Sequence, residues 1–147
     1  MGNICRSPTA EALCRKLAAE LAPEFEFEID SAGTHGYHIG APPDERSQRA
    51  ARRHGLDLST LRSRQLSRQD FERFDWIVFM DEDNQRDALA RVQPSGSARL
   101  VRLLDFAPEQ PVRNVPDPYY GGADEFAQVV RLIDTGVRGL IARLRAG

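Results

Sequence analysis

Arg6 and the Ser7-Pro8 pair are the residues whose types and spacing first suggest chemistry. Ser7 suits a helix N-cap and Pro8 the first helical position, so the loop ahead of them, Met1-Gly2-Asn3-Ile4-Cys5, is expected to end at a helix N-terminus. Such a junction gathers unpaired backbone N–H groups and the positive end of the helix dipole. Arg6 adds a planar fork of donors at the rim. The pattern then describes an oxyanion or phosphate site made from the amides of residues 2–7 and one guanidinium. Gly2 and Asn3 tolerate the left-handed backbone that a phosphate cradle requires. An ordinary capped helix behind a turn uses the same residues, and the local pattern leaves both readings standing.

The elements that must position this loop follow from periodicity. Ala10, Leu13, Cys14, Leu17, Ala18 and Leu21 recur at helical offsets and give the first helix its apolar face. Residues 25–30 (Phe-Glu-Phe-Glu-Ile-Asp) alternate strictly and read as a strand with one buried face, at a sheet edge. Residues 44–54 favour a helix with Gly55 at its C-terminal end. Arg46, Arg49, Arg52 and Arg53 make a basic stripe on it, read as a solvated face with anion steering as the alternative. Ser67 and Asp70 cap a short helix ahead of a buried strand over 74–80. A helix over 81–92, a strand over 98–106 and a long amphipathic helix over 124–144 complete the chain. Strands alternating with helices predict an α/β sandwich with a mostly parallel sheet, whose ligands bind at the carboxyl ends of the strands.

Composition narrows the function classes. With 147 residues and 41% hydrophobic content, one domain with a genuine core is expected. A net charge of −2 gives no reason to expect nucleic acid or an anionic membrane as partner. The longest purely apolar run, Trp76 to Met80, is far too short to span a bilayer, and the N-terminus lacks signal-peptide organisation. Cys5 and Cys14 lie on a loop and on a helix face, which argues for reduced thiols in a cytoplasmic protein. His35, His38 and His54 are scattered and share no ligand spacing with the cysteines, so neither a metal nor another cofactor is expected.

The stretch Gly2-Asn3-Ile4-Cys5-Arg6-Ser7-Pro8-Thr9-Ala10-Glu11 resembles the phosphate-binding loop and following helix of the low-molecular-weight protein tyrosine phosphatases. Asp30-Ser31-Ala32-Gly33-Thr34, Pro42-Pro43-Asp44, Arg53-His54-Gly55, Phe79-Met80-Asp81 and Asp117-Pro118-Tyr119-Tyr120-Gly121 fall in family order, so the likeness covers essentially residues 1–147 as a single domain. It implies a three-layer sandwich with a mostly parallel four-stranded sheet, and hydrolysis of a phosphotyrosine-containing protein or small aryl phosphate through a phosphocysteine. Arg6 would clasp the phosphoryl oxygens with the loop amides, and Asp117 would protonate the leaving phenolate. Pro118 holds the residue before it extended, which directs the Asp117 carboxylate.

Other roles come from the same resemblance. Ser7 would hydrogen-bond the thiolate, and Asn3 and Ser31 would hold the loop in shape. Tyr37 and Tyr119, with Ile4 and Met1, would wall a slot for an aromatic ring. Cys5 resembles the second loop cysteine, able to capture an oxidised nucleophile as a disulfide. One departure cuts across this list. The family loop reads Cys, five residues, Arg, then Ser or Thr, so its nucleophile and the interior strand leading to it would precede Met1. The expectation is an N-terminally truncated, inactive domain whose strands at 25–30 and 74–80 lack a shared partner, leaving the sheet to gap, close up or recruit another edge. Two alternatives stay open: a non-catalytic oxyanion- or phosphotyrosine-binding module, and an arsenate reductase of the same fold. The last needs further redox cysteines, and residues 15–147 contain none.

Overall fold

The helix boundaries follow the capping chemistry, with one exception at the start. The computed structural model describes residues 4–92 and 96–147. Helix α1 spans Arg6–Leu21 with Cys5 as its N-cap, so Ser7 and Pro8 sit inside the first turn rather than at its threshold. Proline lacks an N–H that no residue of a first turn can use, so it fits anywhere in that turn and does not mark the start. The Thr9 hydroxyl donates to the Cys5 carbonyl at 2.9 Å. Helix α2 (Glu45–Arg53) is capped by Asp44, whose carboxylate accepts from the Arg46 amide, and Gly55 follows it with φ of 81°. Helix α3 (Arg68–Arg73) carries the expected Ser67/Asp70 capping box, and α4 (Glu82–Arg91) is capped by Asp81.

Two short strands, β1 (Trp76–Phe79) and β2 (Arg99–Arg102), pair in parallel with Trp76 opposite Arg99 and Phe79 opposite Arg102. The strand expected over 98–106 is cut in half. From Leu103 to Phe106 the chain tightens into a 3-10 turn, where Asp105 accepts from the Arg102 amide and Leu103 and Leu104 are fully buried. Helix α5 (Ala123–Arg145) packs Phe126, Val129, Val130, Ile133, Val137, Leu140 and Ile141 against α1, α2 and that turn. Gly139 permits the closest approach, because a Cβ there would overlap the Phe106 carbonyl oxygen. Among the described residues no helix is long and apolar enough to cross a membrane.

The sheet departs from expectation. Among the described residues it holds two strands, plus an isolated parallel bridge between Gly33 and Gln65. Residues 26–30 keep their alternation, with Phe27 and Ile29 half-buried and Glu26, Glu28 and Asp30 exposed, but Phe25 is exposed against expectation and the segment forms no ladder. A strand needs a neighbour about 4.8 Å away, and among the described residues none pairs with this segment. Side chains hold it instead: Arg15 to the Ile29 carbonyl, Arg64 to Asp30 at 3.0 Å, and Arg73 to Glu28. Trp76, Ile77 and Val78 are half-buried for the same reason, so the strand expected to be buried on both faces is open along one edge. Between the segment and β1 lies a cavity of about 680 Å³, walled on its helical side by Cys14, Ala18, Val137 and Ile141.

Candidate active site

Arg6 is the charged group around which the site is built. It is 4% exposed, a placement that a guanidinium tolerates only when partnered. Its Nη1 donates to Asp81 Oδ2 at 2.5 Å and to the Val115 carbonyl at 2.8 Å, while Nη2 stands 3.9 Å from Asp117 Oδ2. Three segments therefore meet at one side chain. Asp81 stands just beyond the carboxyl end of β1 and serves a second purpose, accepting from the Asn84 amide at 2.6 Å to cap α4. Val115 is drawn in because its amide donates to the Met80 carbonyl at 2.9 Å, and that bond sets Asp117 two residues further along.

Asp117 is half-exposed, and its Oδ1 accepts from the Tyr119 amide at 3.1 Å. Pro118 is buried, and its carbonyl accepts from the Gly121 amide at 2.8 Å to close the turn. The carboxylate is thus anchored at one oxygen and free to face the cavity with the other. Arg6, Ser7, Ile4, Cys5, Asp117, Tyr37 and Tyr119 all line the cavity, so the described residues assigned to the site from sequence do come together. Gly2 and Asn3, with Met1, lie outside the described residues.

The two tyrosines differ. Tyr119 is half-buried, meeting Tyr120 edge-on at 5.0 Å and His38 at 6.4 Å. Tyr37 is 72% exposed and stacks on His35 at 5.0 Å, so it forms the outer lip of the cavity rather than a deep wall.

Cys5 lies buried at the base, hydrogen-bonded to Ser47. Burial pushes its thiol up to about 11; the Ser47 bond opposes this and the charges of Asp44 and Asp117 add to it. Burial likewise raises Cys14 to about 11. Neither is a thiolate at neutral pH, and neither faces Arg6 across a loop that could wrap a phosphate. Among the described residues no His, Cys, Asp and Glu group could hold a metal ion.

Three functional partners went unassigned in the sequence reading. Asp81 pairs with Arg6 across 75 positions, and its signal was an acidic residue at the end of an apolar run, read only as a helix start. Glu11 is 6% exposed, accepts from the Ser31 hydroxyl at 2.6 Å and from Arg15 at 3.0 Å, and so ties α1 to the segment after residue 30. Ser31 therefore acts on the helix carrying the loop. Arg46 leaves the solvated stripe to which it was assigned, and only Arg49, Arg52 and Arg53 of that stripe are exposed. Arg46 is half-buried, donating to Asp44 through Nε at 3.0 Å and Nη2 at 2.9 Å, with its guanidinium over the Tyr119 and Phe126 rings.

Known proteins share this sequence and fold. The chain is 41% identical over 145 residues to the low-molecular-weight protein-tyrosine-phosphatase YfkJ of Bacillus subtilis, covering 99% of this chain and 92% of that one. The human low-molecular-weight phosphotyrosine protein phosphatase is 41% identical over 130 residues, 88% of this chain and 82% of its own. In three dimensions, the crystal structure of a protein tyrosine phosphatase from Entamoeba histolytica, with Hepes in its active site, superposes with a TM-score of 0.92. That match holds at 35% identity over 100% of this chain and 94% of the other. The YfkJ crystal structure superposes at 0.88 with 40% identity, over 99% and 91% of the two chains. A buried arginine shared by a strand-end aspartate and an Asp-Pro turn fits phosphoryl chemistry, and a sequence model of the low-molecular-weight phosphotyrosine protein phosphatases matches residues 1–147, so the chain belongs to that family.

Proposed function

We propose that this chain provides the phosphate-binding and proton-donating parts of a phosphotyrosine phosphatase, and that its reaction runs through a phosphocysteine. The carrying observation is the position of Arg6, fixed by Asp81 and Val115 with Nη2 turned toward Asp117 at the cavity floor. Arg6 and the loop amides hold the equatorial oxygens of the phosphoryl group. A thiolate attacks phosphorus, the bond to the aryl oxygen breaks, and Asp117 gives that oxygen a proton. Water then attacks the phosphocysteine, losing its proton to the Asp117 carboxylate and releasing phosphate and the thiolate. The substrate is a phosphotyrosine protein or a small aryl phosphate whose ring lies between Ile4, Tyr119 and the Tyr37 lip. The protein acts in the cytoplasm with Cys5 and Cys14 as thiols.

The attacking thiol is one other than Cys5 or Cys14, carried at the end of an apolar strand that would fit beside β1 and complete a four-stranded sheet. Two observations support this reading. Cys5, buried, and Cys14, half-buried, are thiols whose pKa is pushed up to about 11 by burial. The cavity beside residues 25–30 and β1 has an apolar stretch made by Phe27, Ile29, Ile77, Phe79, Val137 and Ile141, and it runs on past Ile4 and Cys5 to Arg6 and Asp117. Residues 1–147 alone are accordingly silent toward p-nitrophenyl phosphate. Comparing them with a version extended by an apolar strand ending in cysteine tests the point. Turnover should belong to the extended version, with a difference on the order of 10⁶, the scale set by nucleophile loss in subtilisin. Equal turnover by the short chain, abolished by Cys5→Ser, would make Cys5 the nucleophile. Silence from both, with phosphate still bound, would favour a binding module.

A further inference from the structure

The acid turn is held by more than its own backbone. Arg46 comes from α2, a different element, and reaches the turn at two points: its guanidinium carbon stands 5.4 Å from the Tyr119 ring centroid, and its Nη1 donates to the Gly121 carbonyl at 3.4 Å. The amide of Tyr119 is the group that fixes Asp117 Oδ1, so the ring under Arg46 and the anchor of the acid belong to one residue. Beyond the turn, the same guanidinium lies 4.7 Å from Phe126, fixing the first turn of α5.

At its other side Arg46 is fastened to the phosphate loop. Asp44 takes Nε and Nη2 in a two-pronged pair, and the Asp44 amide donates to the Ile4 carbonyl at 2.7 Å. Asp44 is also the α2 cap, through the Arg46 amide at 2.8 Å. A continuous path therefore runs from Ile4 through Asp44 and Arg46 to Tyr119 and Asp117. We infer that Arg46 is a positioning residue that holds the Asp117 carboxyl in register with the phosphate loop by gripping the Tyr119–Gly121 turn from α2. A planar group is required, because its π-faces must serve two rings while its edges serve Asp44 and Gly121. An ammonium can supply the charge and only one of those contacts.

This inference rests on the phosphatase reading above, and its test separates the two. In the extended, thiol-bearing protein, kcat is measured on phenyl, p-nitrophenyl and 2,4-dinitrophenyl phosphate for the parent, Asp117→Asn, Arg46→Ala and Arg46→Lys. The acid matters most for the poorest leaving group, so Asp117→Asn should slow phenyl phosphate by about 10²–10⁴ and the dinitrophenyl ester far less. Arg46→Ala should show the same ordering at smaller size, about 10-fold on phenyl phosphate and under about threefold on the dinitrophenyl ester, with KM and phosphate affinity unchanged. Arg46→Lys should recover only part of the loss, and it decides the matter if the alanine variant melts below the assay temperature. An equal loss on all three esters, or a rise in KM at constant kcat, overturns the inference and makes Arg46 a structural or substrate contact. If Asp117→Asn also lacks leaving-group dependence, the acid assignment falls first and takes this inference with it.

Discussion

Residues 115–121 and residues 25–30 are both irregular chain beside the same cavity, yet they are held in opposite ways. The first is fixed by groups with little exposure: the Val115 amide on Met80, the buried Arg6 on Val115, and the buried Pro118 whose carbonyl takes the Gly121 amide, with the half-buried Arg46 added at its rim. The second is held by exposed arginines, Arg64, Arg73 and Arg15, with side chains 35% to 62% accessible to solvent. Exposed ion pairs contribute about 0–1 kcal/mol each and weaken with salt, whereas breaking a buried pair costs about 3–5 kcal/mol. Preorganisation is therefore concentrated where charge develops during phosphoryl transfer. The ring-side wall is left to weak, replaceable contacts.

The largest effect should come from the buried side. Arg6→Lys keeps the charge but cannot reach Asp81, Val115 and a bound oxyanion at once. Loss of one charge-assisted bond is worth about 1.5–3 kcal/mol, so phosphate or vanadate affinity should fall by roughly 10–10² by calorimetry. An unchanged affinity would detach Arg6 from the anion and leave it a purely structural residue.

That contrast also explains what could be read from the sequence. Helix ends were legible because each carries its own chemistry: Asp44 and Gly55 around α2, Ser67 and Asp70 on α3, Asp81 on α4. The stripe from Phe126 to Ile141 gave α5 without any tertiary knowledge. Arg6 was legible from its place at a loop–helix junction, but Asp117 was assigned only by the order of family motifs, since nothing local brings residues 111 positions apart to 3.9 Å. Asp81 and Arg46 were missed for that reason: each has a sufficient local explanation, a cap and a solvated stripe, that hides its longer-range partner. The alternation at 25–30 marked Phe27 and Ile29 as turned inward but failed at the exposed Phe25, because periodicity reports a face and not the presence of a neighbour. The strand expected over 98–106 failed where Asp105 offered its carboxylate to the Arg102 amide and turned the chain.

A middle-sized effect should separate the two regions directly. Raising salt from about 0.01 M to 1 M shortens the screening length from about 30 Å to about 3 Å. Amide exchange at Phe27 and Ile29 should then accelerate several-fold, on the order of one exposed ion pair's worth. The Val115 amide, bonded to Met80 in the interior, should not change. In the extended protein with its ladder formed, the salt response at 27 and 29 should vanish. A salt response persisting there would mean that a strand does not pair with this segment.

The smallest effect lies at the joint between the regions, where Asp44 links the phosphate loop to Arg46. The Arg46 side chain beside it holds the Asp44 carboxyl below its ordinary value, against the raising effect of partial burial. A carboxyl depressed in the folded state contributes stability that is fully present above its unfolded pKa, near 3.8, and is lost as pH falls through the folded value. Asp44→Asn keeps one side-chain oxygen for the α2 cap and removes the charge together with the acceptor of Arg46 Nη2. The variant should therefore melt slightly below the parent from about pH 5 upward, and the two melting curves should draw together as pH falls through the depressed folded value. A gap that does not shrink with acid would assign the Asp44 contribution to hydrogen-bond geometry rather than charge. The Ile4–Asp44–Arg46 path would then depend on shape alone.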